Sequence, residues 1–172
     1  YATFEHPAQQ RVLDVLEQMT GLDDLTKQPR ATDGCGAPTI AMPLRNLALA
    51  MARLGAPDDQ PGQRIDACAR IRHAMARHPE MVAGQGHAVT RVLAQLGEQG
   101  IVKGGAEGVM TGCCPELGLG FAVKVDDGAI RAANVIAVNL LDRLRRLADA
   151  DRAALADLLE SPVVTRGGEH VG

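Results

Sequence analysis

The scarcity of aromatic residues constrains this chain more than any other feature of its sequence. Tyr1, Phe4 and Phe121 are the only aromatic residues among 172, and tryptophan is absent. The core must therefore consist of Ala, Leu, Val, Ile and Met side chains, and a chain of this length can bury enough of them to fold without disulfides or metals. The lack of aromatic platforms and the net charge of −3 argue against nucleic-acid binding.

The sequence also lacks the marks of a membrane or secreted protein. No apolar run reaches the length of a membrane span and no secretory leader precedes the body, so we expect a cytoplasmic protein of bacterial type. Cys35, Cys68, Cys113 and Cys114 are irregularly spaced, and we expect reduced thiols, the last three of them serving as packing residues. The chain begins at Tyr1 rather than at Met, and we expect it to be part of a longer protein.

Hydrophobic periodicity predicts an α+β fold with an antiparallel sheet. Apolar residues recur every three or four positions over 7–19, 44–54, 64–77 and 88–96, which predicts four helices separated by irregular segments, the longest at 22–43. The runs 101–110 and 117–125 predict a hairpin joined through TGCCPE. A helix over 129–147, apolar nearly all round, should be buried between layers, followed by a helix to 159 and a short strand at 162–165. A lone hairpin is marginally stable, so the sheet needs further strands.

The first segment with chemical potential is TDGCGAP, residues 32–38. Glycines on both sides of Cys35 remove neighbouring bulk, and Asp33 lies two residues before the thiol, within reach of a ligand or substrate group. The alternative is an ordinary Asp-Gly surface turn followed by a small packed cysteine.

The second segment is VKGGAEGV, residues 102–109. Lys103 followed by Gly104 and Gly105 leaves one strand face open, so a substrate can lie against the backbone beside a lysine that can act in proton transfer. The period of two places Glu107 on the same face as Lys103, as a partner of the lysine or as a structural residue. The alternative is an edge strand protected by a solvated lysine.

Taken together, these segments resemble a known family. TDGCGAPTIAMPLRNLALAMARLG, HPEMVAG and VKGGAEGVMTGCCPELGLGFAVKVDDGAIRA resemble the sequence blocks of the rhizobial-type, thermolabile L-asparaginase II family, and the resemblance extends from residue 5 to the C-terminal GGEHVG. It implies a fold similar to penicillin-binding proteins, serine β-lactamases and glutaminases. It also implies hydrolysis of L-asparagine to L-aspartate and ammonia through a serine–lysine pair near a zinc ion.

The resemblance assigns roles to individual residues. Cys35 corresponds to a zinc-binding cysteine, and Asp33 to the accompanying carboxylate that contacts the substrate or supports the site. Lys103 corresponds to the lysine that pairs with the catalytic serine. Gly105 and Glu107 are added from their positions in the strand segment alone, as candidates for substrate-contacting or supporting residues.

The sequence departs from the family pattern in one important way. The nucleophilic Ser-x-x-Lys and the Cys-x-Gly-Lys-His zinc motif of the family are absent, and Ser161, the only serine, precedes a proline. We therefore expect residues 1–172 to be the C-terminal part of a single asparaginase domain, inactive alone, with the nucleophile and the remaining zinc ligands upstream. We also expect a homodimer. A glutaminase or other amidase, or a non-catalytic partner module, remain as alternatives.

Overall fold

The computed structural model describes residues 1–144, 146–160 and 162–171, which form helices and two small antiparallel sheets. The helices are α1 (Pro7–Thr20), α2 (Leu44–Gly55), α3 (Gly62–Arg77), α4 (Glu80–Ala83), α5 (Ala88–Leu96), α6 (Ile130–Arg143), α7 (Asp149–Ala154) and α8 (Ala156–Leu159). The strands are β1 (Arg30–Thr32), β2 (Pro38–Ile40), β3 (Ile101–Gly105), β4 (Val109–Cys114) and β5 (Leu119–Lys124). The α+β class predicted from the sequence is thus confirmed.

Local signals in the sequence fix the first helices. Pro7 occupies the first turn of α1, where its missing N–H costs nothing, and Gly21 ends the helix at φ 69° while its N–H donates to the Glu17 carbonyl. Helix α5 has the predicted bounds. The segment 22–43 is not wholly irregular, because β1 and β2 pair there as a short hairpin.

The larger sheet differs from the predicted two-stranded hairpin. The run 101–110 breaks at the turn Ala106–Gly108, and TGCCPE is not a connector, since its first four residues lie in the central strand β4. The order is β3–β4–β5, with Lys103 opposite Thr111 and Thr111 opposite Ala122. The third strand therefore comes from the chain itself, which gives the sheet three strands and a stable hydrophobic face.

Helices cover both faces of this sheet. On one face α2 lies so close to β5 that a Cβ added at Gly120 would lie 2.1 Å from the Ala48 carbonyl oxygen. On the other face, side chains of α5 and α6 pack on Val102 and Met110, with a residual gap of about 10 Å³. The core is aliphatic, as predicted; its largest fully buried side chains include Leu93, Leu96, Ile101, Met110 and Leu141.

The C-terminal part corrects three expectations. Helix α6 is shorter than predicted and is not buried between layers on all sides, because Ile130 and Ile136 are 48% and 45% exposed. The helix expected over 149–159 is two short helices that meet at Leu155. The strand expected at 162–165 is a single bridge between Val164 and His170.

Candidate active site

The segment around Cys35 forms the tight turn that joins β1 to β2. The Asp33 N–H donates to the Ala37 carbonyl at 2.9 Å, and the Gly36 N–H donates to the Asp33 carbonyl at 2.8 Å. Gly36 has a φ of 81°, a conformation that favours glycine. The second glycine of the Gly-Cys-Gly pattern is therefore required by the turn, which leaves Cys35 exposed at its tip.

The Cys35 thiol and the Asp33 carboxylate form a pair. The Cys35 Sγ donates to Asp33 Oδ2 at 3.2 Å. This hydrogen bond, together with backbone N–H donors of Gly34 and Cys35, lowers the pKa of the Asp33 carboxyl below its usual range, because hydrogen bonds to the charged form favour it. The alternative of a packed cysteine is wrong for Cys35, since the thiol is exposed and faces a carboxylate.

Lys103 lies on β3, an edge strand of the larger sheet. Its side chain is exposed, and its Nζ donates to the neighbouring Gly104 carbonyl at 2.6 Å. The Lys103 carbonyl accepts from the buried Thr111 hydroxyl at 3.2 Å, which shows that the backbone of Lys103 faces β4. Because backbone groups of a strand alternate in direction, the N–H and C=O of Gly104 point to the open edge.

Glu107 does not lie on the strand face with Lys103, and that expectation is wrong. The residue is in the turn between β3 and β4, with a φ of 57° that only glycine adopts easily. Its Oε2 lies over Gly128, where an added Cβ would be 3.0 Å away. Contacts between Gly108 and Gly128 hold this turn against the turn that follows β5, and the Val125 N–H donates to the Gly108 carbonyl at 3.0 Å.

Gly105 faces the same side of the sheet as Lys103 and is exposed, opposite Val109. A Cβ added there would lie 3.2 Å from the Val109 Cβ, so the position is tight rather than empty. Gly104 has more space, since its added Cβ would make ordinary contacts with Val89 and Met110 on the face that α5 and α6 cover.

The candidate residues form two separate groups. Asp33 and Cys35 lie on the small hairpin, which neighbours α1 and the N-terminal residues: the Arg30 guanidinium lies 4.0 Å from the centre of the Phe4 ring. Lys103 and Glu107 lie at one end of the larger sheet. Within the described ranges, no hydrogen bond or salt bridge joins the two groups.

The described residues do not make up a zinc site by themselves. In the part of the chain that is described, no three His, Cys, Asp or Glu side chains come together. A tetrahedral zinc site needs four ligands, and the thiol–carboxylate pair offers two of a suitable kind. The described residues alone therefore do not fit the ion, and no chemical step is assigned to it.

The other three cysteines are packing residues. Cys68, Cys113 and Cys114 are buried with free thiols. Burial raises the pKa of Cys113 to about 11 and also raises those of Cys68 and Cys114. Their thiolates are therefore scarce at neutral pH, which makes them poor nucleophiles.

Sequence reasoning missed two residues beside Lys103. Thr111 was expected to lie in the TGCCPE connector, and no sequence pattern indicated that Lys124 lies near Lys103. The register places both on the face of Lys103, with Thr111 directly opposite it and Lys124 opposite Val109. Only the correct strand pairing reveals this grouping.

These observations describe an α+β domain with an accessible lysine on a glycine-rich edge strand and an exposed thiol–carboxylate pair. A sequence model of the family described as L-asparaginase II matches residues 1–172. The chain belongs to the L-asparaginase II family. This membership suggests an amidohydrolase that acts on the asparagine side-chain amide. A comparison with curated proteins found no match. None of the described helices combines the length and apolar character that crossing a membrane requires.

Proposed function

We propose that this chain carries the lysine half of the active site of an L-asparagine amidohydrolase that uses a serine–lysine pair. The observation that carries the proposal is the position of Lys103: exposed, on an open edge strand, and without an acidic partner within 4.0 Å in the described residues. A lysine in this position is accessible to a serine from another segment. Family membership supports asparagine as the substrate.

In the proposed reaction, a serine oxygen attacks the side-chain amide carbon after its proton passes to a lysine nitrogen. The C–N bond breaks, the nitrogen leaves as ammonia with that proton, and a β-aspartyl ester remains. Water then attacks the ester carbon, which releases L-aspartate and restores the serine. The Gly104 N–H at the open edge is a donor for the oxyanion that forms at the amide oxygen.

The nucleophile comes from outside residues 1–172 in this proposal. Ser161 is the only serine of the chain, and it lies outside the described residues. Cys35 is the only exposed cysteine, and its thiol donates to the Asp33 carboxylate, whose lowered pKa makes it a weak base for activating a nucleophile. We accordingly regard residues 1–172 as the C-terminal part of a β-lactamase-like domain, a relationship that the three-stranded meander between helical layers supports.

We further propose that Cys35 is one ligand of a zinc ion, supported by the adjacent carboxylate, with the remaining ligands outside this chain. The exposed thiol at the tip of a rigid turn supports this role. The four free thiols fit a reducing compartment such as the cytoplasm.

Contact with further protein is also part of the proposal. The chain exposes 10333 Å², whereas a compact monomer of its mass exposes about 8,100 Å². The excess fits burial against the segment that carries the nucleophile and against the second copy of a homodimer. Light scattering on the full-length protein tests the dimer, and a monomeric mass contradicts it.

Ammonia release from L-asparagine and L-glutamine by the full-length protein tests the function. We expect turnover of asparagine, and a loss of about 10²- to 10⁴-fold in kcat in Lys103→Met, since acid–base groups contribute this much. Lys27→Met is the matched control, because Lys27 is an exposed lysine paired with Asp24 at 2.9 Å. A loss below about tenfold in Lys103→Met would remove the lysine from proton transfer. Preference for glutamine would favour a glutaminase. Absence of turnover with both amino acids would favour a non-catalytic module.

A further inference from the structure

One end of the larger sheet collects charged side chains that have no charged partners. The chain contains three lysines. Lys27 forms a salt bridge with Asp24, whereas Lys103 and Lys124 donate only to backbone carbonyls next to them, those of Gly104 and Val125. In the described part of the chain, neither has an acidic side chain within 4.0 Å.

The strand register places these two lysines on the same face. Lys103 is in the row of Thr111 and Ala122, and Lys124 is in the next row, beyond Val109. Strand spacing and rise put their Cα atoms about 12 Å apart on the diagonal. Helix α2 packs on this same face at Gly120, and Thr111 is buried, whereas Gly105, in the row of Lys124, is exposed. A small molecule can therefore lie at this end of the face, over Gly105, within reach of both ammonium groups.

A carboxylate completes the group. The Glu107 turn adjoins β5, because the Gly108 carbonyl accepts from the Val125 N–H at 3.0 Å, one residue after Lys124. Glu107 has no cation within 4.0 Å in the described residues, and its left-handed backbone is fixed by the packing of Gly108 on Gly128. Strained residues held by their surroundings are concentrated at functional sites.

Two further carboxylates, Asp126 and Asp127, are in the turn after β5. Asp127 is engaged as an acceptor for the Ala129 N–H at 2.8 Å, at the entrance to α6. The group at the sheet end thus combines the exposed cations Lys103 and Lys124 with the exposed carboxylate of Glu107, and Asp126 is a further exposed carboxylate beside it.

From this arrangement we infer that Lys124 and Glu107 bind the amino-acid end of the substrate, Lys124 its α-carboxylate and Glu107 its α-ammonium. The inference rests on the proposed function and extends it to substrate recognition. A free α-amino acid carries one charge of each sign beside its side chain. Lys124 and Glu107, a cation and an anion on neighbouring segments, match that pair. The side-chain amide of the substrate then extends over Gly105 toward Lys103.

Three variants of the full-length protein test the inference. Lys124→Met removes the charge and keeps the stem, Lys124→Arg keeps the charge, and Lys27→Met is the control. A charged hydrogen bond contributes enough that we expect KM for L-asparagine to rise about 10- to 100-fold in Lys124→Met, with kcat much less affected. Lys124→Arg should recover most of this loss. A KM within about twofold of the parent in Lys124→Met would overturn the inference.

Substrate analogues provide the second readout. 3-Aminopropanamide has the ammonium and the amide of asparagine but no carboxylate, and succinamic acid has the carboxylate but no ammonium. The parent should prefer asparagine to both. Lys124→Met should lose the preference over 3-aminopropanamide alone, and Glu107→Gln the preference over succinamic acid alone. Unchanged preferences in both variants would contradict the assignment.

Binding of the product L-aspartate, measured by calorimetry, separates this inference from the proposed function. We call the proposed pair of Lys124 and Glu107 the clamp. If aspartate binds the parent, and binds Lys124→Met at least about tenfold more weakly, the result supports the clamp even if asparagine is not turned over. Turnover of asparagine with equal aspartate affinity in parent and variant would overturn the clamp and leave the proposed function intact. No aspartate binding by the parent would overturn the clamp directly.

Discussion

Replacing Gly120 by alanine should destabilise the protein more than any other glycine-to-alanine change in the larger sheet. A Cβ at this position would lie 2.1 Å from the Ala48 carbonyl oxygen, 2.2 Å from the Ala52 nitrogen and 2.8 Å from the Met51 carbonyl carbon. All three atoms belong to the backbone of α2, so no side-chain rotation relieves the clash. The helix would have to move away from the sheet by about 1 Å to restore ordinary contact distances.

The cost can be bounded from the packing. Overpacking of a core costs about 1–3 kcal/mol where side chains can adjust. The obstacle here is helical backbone, so we expect the free energy of unfolding to fall by about 3 kcal/mol or more, which corresponds to a decrease in Tm of roughly 6–12 °C for a chain of this size. Urea unfolding followed by circular dichroism measures the change.

Gly104→Ala is the matched control on the same sheet. Its added Cβ would lie 3.7 Å from Val89 Cγ2 and 3.8 Å from Met110 Cε, ordinary contact distances beside a small apolar gap. We expect it to be neutral or to stabilise the protein by about 0.4–1 kcal/mol, because alanine restricts the unfolded chain. A Gly120→Ala variant within about 0.5 kcal/mol of the parent, or as stable as Gly104→Ala, would refute the close packing of α2 on β5.

Four further outcomes are expected. A thiol reagent such as DTNB at pH 8 should label Cys35 quickly and the buried thiols only after denaturation, since a pKa of about 11 leaves roughly 0.1% thiolate at Cys113; fast labelling of several thiols would contradict the burial. Cys35→Ala should raise the Asp33 pKa toward its ordinary value, measured by carbon-detected NMR titration, because the thiol is the main cause of the depression. In the parent, the hydrogen bond from the Cys35 thiol to the Asp33 carboxylate is fully present above the ordinary Asp range and is lost as the pH falls through the lowered pKa. The same substitution in the full-length protein should lower zinc content by atomic emission, and equal metal-to-protein ratios would reject the ligand role. Residues 1–172 alone should release no ammonia from asparagine, and turnover comparable to the full-length protein would show that the nucleophile is in this chain.

The sequence determined those features that depend on local chemistry. Proline at the start of α1, glycine at its end and apolar repeats fixed the helices, because capping and amphipathic burial act within a few residues. The scarcity of aromatic residues fixed an aliphatic core. The blocks around Cys35 and Lys103 were sufficient to identify the family, which the family comparison confirmed.

Strand pairing, in contrast, was decided by tertiary structure. The apolar run 101–110 is typical of one strand, but the turn at Ala106–Gly108 is stabilised by packing of Gly108 on Gly128, 20 residues further along the chain. Because the chain reverses there, Val109–Cys114 is the central strand, Glu107 does not lie on the face of Lys103, and Lys124 does. The alternation of side chains along a strand, with its period of two residues, does not reveal which strands are neighbours, since register depends on contacts between distant segments. The sequence therefore identified candidate residues such as Cys35 and Lys103, whereas the strand register decided which side chains lie together on one face of the sheet.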